Sequence, residues 1–112
     1  MTCNMPVNYQ IIFCTCPDKN TAENIAKLLV TSNQAACVNI LPGITSTYAW
    51  QGRIESAEEH LLLIKAHKDY YQAIETMVRE HHPYELPEII AVPIEHGLPE
   101  YLNWIDSCHS LK

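Results

Sequence analysis

Two short stretches hold the side chains best suited to chemistry, "CTC" at residues 14–16 and "EHHPYELPEII" at residues 80–90. Cys14 and Cys16 are two residues apart, the spacing at which a β-strand turns both side chains to one face. Two thiols so placed suit a soft cation, and a nearby imidazole fits copper(I) or zinc. C-x-C alone is a weak pattern, because free cysteine is commonly buried as a small hydrophobe. The chain has no C-x-x-C and no H-E-x-x-H, so the residues by themselves leave simple burial as the plainer reading.

The paired histidines raise a question of direction. Pro83 disfavours α geometry at the residue before it, so the helix that carries them ends at about His81 or His82. Neighbouring helical side chains point about 100° apart, which makes His81 and His82 a poor chelate on their own. Tyr70, Ala73, Ile74, Met77 and Val78 form an apolar stripe that His81 continues, so His81 is expected inward and His82 towards the loop. The bland alternative is a last-turn histidine placed against the negative end of the helix dipole. Glu55, Glu58 and Glu59 form a small acidic run, ordinarily solvated, although beside a thiol or imidazole it would complete a cation site. Cys37 and Cys108 read as structural, and His60, His67 and His109 as ordinary.

The elements that must position these groups follow from hydrophobic pattern. "YQIIFCTC" (9–16) is a short apolar strand ended by Pro17-Asp18, and Ala22, Ile25, Ala26 and Leu29 then repeat at helical spacing, with Asp18 or the Asn20/Glu23 pair as the cap. "ACVNILPGITSTYAW" (36–50) is one long strand bent at Pro42-Gly43. Gln51-Gly52 forms a tight turn. The returning strand places Leu62, Ile64 and Ala66 on one face and Leu61 and Leu63 on the other. A second helix over 69–81, a strand in "EIIAVPIE" and a short helix in "LPEYLNWIDS" complete the order. This β-α-β-β-α-β pattern with an added C-terminal helix predicts an α+β, ferredoxin-like sandwich. Two helices cover only one face of a four-stranded sheet, so the apolar second face predicts a homo-oligomer. The first and last strands are expected to be central and parallel. That would put the end of the second helix at the far end of the same subunit, and a composite site would need a neighbouring chain.

The 112 residues make one domain, 1–112, with residues 1–8 expected as a mobile tail. A net charge of -6 without a Lys/Arg cluster argues against nucleic acid and anionic membranes as partners. No apolar run approaches the ~18 residues of a membrane helix, and no export signal opens the chain, so the expected location is cytoplasmic. Five cysteines are an odd number, which favours free thiols over a disulfide framework. Neither a glycine-rich phosphate loop nor a nucleophile elbow is present, and Arg53 and Arg79 are the only arginines, so no enzyme class is supported.

Several stretches together resemble the CutA divalent-cation-tolerance family: "CTCPD" (14–18), "AACVNILPGITSTYAWQGRIE" (35–55), "EEHLLLIKA" (58–66), "HHPYELPEII" (81–90) and "HGLPEYLNWI" (96–105). The likeness covers nearly the whole chain from Tyr9. It implies a non-enzymatic, cytoplasmic homotrimer that binds a metal ion, copper foremost, with zinc or another divalent cation as alternatives. The ligands it implies are Cys14, His81 and His82, with Glu59 contributing nearby. Cys16 stands where the family commonly has a small apolar residue, so its role stays open. A different class of function fits the same architecture, a signalling or scaffolding trimer resembling the PII-type nitrogen regulators. Such a trimer would bind a small molecule or partner protein in inter-subunit clefts lined by Tyr48, Trp50, Tyr84 and Trp104.

Overall fold

The computed structural model describes residues 7–109; Cys3 and most of the expected N-terminal tail lie outside the described residues. Asn8, the last residue of that segment, is tied in place by a 2.7 Å hydrogen bond from the Lys68 N–H to its carbonyl.

Strand β1 (Tyr9–Cys16) leads into helix α1 (Lys19–Thr31). Asp18 caps that helix by accepting from the Thr21 N–H at 2.8 Å, a bond that holds the Asp18 carboxyl below its ordinary range. Strand β2 (Cys37–Trp50) is continuous but for an irregularity between Leu41 and Ile44, where Pro42 and Gly43 form the bulge. Gln51 and Gly52 turn the chain with φ of 52° and 78°, the doubly positive geometry of a two-residue hairpin. Strand β3 (Arg53–His67) returns, a single 3₁₀ turn follows, and helix α2 (Tyr71–His81) runs back across the sheet. Strand β4 (Ile89–Pro93) and helix α3 (Pro99–His109) finish the fold.

The sheet order is β2-β3-β1-β4, and β1 is antiparallel to both of its neighbours. The expectation of two central parallel strands is therefore corrected. β4 lies at the edge and runs against β1, with Ile89 opposite Cys14. The correction decides where the chemistry sits. β3 leaves the sheet at His67, opposite Tyr9 at the start of β1. α2 must then run back towards the other end, so its C-terminus arrives beside Thr15 and Cys16 within the same chain.

One face of the sheet carries the core. Ile12, Cys14, Cys16, Leu62, Ile64 and Ala66 pack against Ala22, Ile25 and Leu29 of α1 and Ile74 and Val78 of α2, all fully buried. The alternate positions, including Leu61 and Leu63, are only half-buried, and Leu41, Ile90 and Val92 are exposed. α3 reaches only one end of this second face, where Lys65 lies over the Tyr101 ring. It is pinned there by the Tyr9 hydroxyl, which donates to Asp106 at 2.6 Å, and by His109, whose Nε2 accepts from the His67 N–H at 2.9 Å.

Candidate metal centre

The C-x-C spacing does at the end of β1 what strand geometry requires. Cys14 and Cys16 both face the helices and both are fully buried. Two residues along a strand separate their Cα atoms by about 6.7 Å, at the upper limit for a disulfide. The thiols are therefore better placed to share an ion or a proton than to bond to each other. Burial and mutual contact decide their protonation. Cys16 is the easier to ionise, because the Cys14 S–H hydrogen-bonds its thiolate. The same bond, followed by burial, pushes Cys14 well above the ordinary thiol range. A metal ion would displace the thiol protons.

The third member is His82, at 8 % exposure, and not His81. Pro83 forces His82 out of the helix into extended geometry, with φ -95° and ψ 136°. That change of backbone direction swings its ring inward over β1. Its Nδ1 accepts from the Tyr84 N–H at 3.1 Å, so the ring proton sits on Nε2 and is donated to the Thr15 carbonyl at 2.7 Å. His81 stays on the helix surface, exposed, with its Nδ1 2.9 Å from the Met77 carbonyl. The expected directions of the two rings are thus exchanged. The apolar stripe ends at Val78, and the turn made by Pro83 overrides its extrapolation.

Ligand atoms of Cys14, Cys16 and His82 all lie within 4.8 Å of one another. Around a zinc or copper ion with metal–sulfur bonds of ~2.3 Å, donor atoms stand ~3.5–4 Å apart. The donors fit a soft ion after a closure of about 1 Å, with one specific cost: His82 ligates through Nε2 only by surrendering its proton and the Thr15 carbonyl. Glu59 stands apart from this group. On β3 it faces the opposite side of the sheet from His60, the residue paired with Cys16. It is 5 % exposed and accepts from the Tyr84 hydroxyl at 2.8 Å. Loss of hydration, then the Glu59 carboxylate, pushes the Tyr84 phenol above its ordinary range. Tyr84 and Glu59 also border an open groove of about 1130 Å³, along with Tyr48, Trp50 and Leu86.

Cys16, whose role its spacing from Cys14 leaves open, joins the cluster here. Its signal was the i, i+2 alternation, which needed the antiparallel order of β1 and β4 before it could be joined to His82.

A split βαβ domain with a buried thiol–thiol–imidazole cluster at one end of a central strand is a small α+β protein of the ferredoxin-like class. The family described as CutA1 divalent ion tolerance protein matches residues 10–108, and the chain belongs to that family. A divalent-cation tolerance protein CutA of Yersinia pestis is 40 % identical over 100 residues, covering 89 % of this chain and 84 % of that protein. The crystal structure of CutA from Xylella fastidiosa superposes with a TM-score of 0.90 at 48 % identity, covering 92 % of this chain and 99 % of the other. The periplasmic divalent cation tolerance protein CutA of Archaeoglobus fulgidus gives 0.89 at 40 % identity, covering 91 % and 99 %.

Proposed function

We propose that this chain binds a soft cation, copper foremost and zinc next, through Cys14, Cys16 and His82, and that it serves divalent-cation tolerance by binding without turnover. The buried dithiol beside an inward imidazole carries this reading. Thiolates select thiophilic ions over hard ones such as magnesium and calcium. Burial also withholds the ion from bulk water, as sequestration requires. Two further parts of the proposal are a homotrimer, supported by the half-open apolar sheet face, and a cytoplasmic location, supported by the odd number of cysteines in the sequence.

Competitive titration of Cu(I), Cu(II) and Zn(II) against chelators tests the binding. Cys14→Ser and Cys16→Ser are each expected to weaken copper(I) by more than about 100-fold, while His81→Ala leaves the isotherm unchanged. Affinity should rise with pH, because each ion bound releases thiol protons. Equal isotherms for wild type and both serine variants would overturn the assignment.

A second reading draws on the groove beside Tyr84. Its aromatic rim and acidic floor suit a small cationic or amphipathic molecule, or a partner segment, as in a signalling trimer. A thermal-shift screen that responds to metal ions alone would exclude it.

A further inference from the structure

His60 is buried in part, and its Nδ1 has no hydrogen-bond partner among the described residues. A buried ring nitrogen left without a partner is costly and asks for an explanation. Its position supplies one. On β3, His60 stands directly opposite Cys16, and residues so paired share a face with Cβ atoms ~4.5–5.5 Å apart. By alternation it points to the same side of the sheet as Cys14 and Cys16, whereas Glu59 and Leu61 point to the other. His60 therefore borders the thiol cluster from the neighbouring strand.

The cluster itself is one donor short. Two thiolates and an imidazole satisfy a trigonal copper(I), whereas structural zinc is almost always held by four ligands in a tetrahedron, Cys2His2 among the common sets. We propose that His60 is the fourth ligand, which turns the centre into a closed Cys14–Cys16–His82–His60 site able to hold zinc as well as copper(I). This rests on the metal-binding reading above. His60 lies outside the group whose ligand atoms fall within 4.8 Å, so coordination draws its ring inward by rotation about its side-chain torsions. Nδ1 gives up no hydrogen bond in making that movement. With all four positions filled by protein, the site has no open position for substrate, and its chemistry is retention of the ion.

Cobalt(II) is the probe, because its thiolate charge-transfer bands report sulfur ligation and its d–d bands are intense only in tetrahedral geometry. Wild-type protein loaded with Co(II) is expected to show both. His60→Gln is expected to keep the charge-transfer bands, shift the d–d bands as water takes the place of the imidazole, and bind Zn(II) more weakly by at least about 10-fold. X-ray absorption of the zinc-loaded wild type gives a measurement independent of any variant's folding, expected to read two sulfurs and two imidazoles. Unchanged d–d bands in His60→Gln, or one imidazole in the absorption spectrum, would overturn the fourth ligand while leaving the centre intact. Absence of thiolate bands in the wild type would remove the centre itself and His60 with it.

Discussion

Adjacent residues of the same type, His81 and His82, have opposite fates here, and the cause is a single proline. Pro83 holds His82 in extended geometry, and the ring becomes a bridge between the Thr15 carbonyl and the Tyr84 N–H. The imidazole thus has a structural task before any ion arrives. Removing it leaves the buried Thr15 carbonyl with only the long Cys14 S–H contact at 3.8 Å and takes the acceptor from the Tyr84 N–H. His82→Ala should lower the stability of the metal-free protein by about 1–3 kcal/mol, and His81→Ala by no more than about 0.5 kcal/mol, as for an ordinary surface position. Chemical denaturation with the metal removed measures both. Equal losses would mean that the inward ring contributes nothing to the fold. The residue types of the cluster were legible in the sequence, and their directions were not. An apolar stripe extrapolated one position too far pointed to His81, because periodicity describes a helix only while the helix lasts.

Strands and helices set which of these side chains meet. Hydrophobic pattern identified the four strands and three α-helices among the described residues, since caps, alternation and the Pro-Gly bend each act locally, but it merged the 3₁₀ turn at Lys68–Tyr70 into the second helix. Strand direction is a tertiary property, and the assumption of parallel β1 and β4 sent the end of α2 to the wrong end of the subunit. Once β1 is antiparallel to both neighbours, α2 must return to the Cys16 end. Glu59 shows the same limit, because one step along β3 separates the face of His60 from the face of Tyr84. The β2–β3 turn carries a local conflict that predicts a gain. Gln51 adopts φ 52° without being glycine or asparagine, whereas this turn favours Asn-Gly. Gln51→Asn should raise stability by about 0.5–1 kcal/mol, seen as a higher denaturation midpoint at unchanged slope. A lower midpoint would show that the glutamine side chain makes a contact of its own there.

The whole molecule is more extended than its length requires. Its radius of gyration is 15.3 Å, against about 13 Å for a compact domain of this size. The cause is the β2–β3 ribbon. β1 ends at Cys16 opposite His60, so residues 44–50 and 53–59 pair only with each other and overhang the sheet. A two-stranded ribbon is marginal in water unless something packs on it, and this one exposes Tyr48, Trp50 and Ile54. The unpaired edge of β4 and the open face, with Leu41, Ile90 and Val92 exposed, stand in the same need. Copies of the chain joined about a threefold axis would cover ribbon and face together. The mass in solution should then be three times the 12.8 kDa of the chain, with a thermal midpoint that rises with protein concentration. Ile90 is 54 % exposed in the single chain, so Ile90→Asp costs the isolated subunit little and places an unpaired charge in the interface. Sedimentation should register a shift from three chains to one at micromolar concentration, with the far-ultraviolet spectrum of the folded sheet retained. A variant that keeps the wild-type mass would place the interface elsewhere and leave the apolar face of β4 without an explanation.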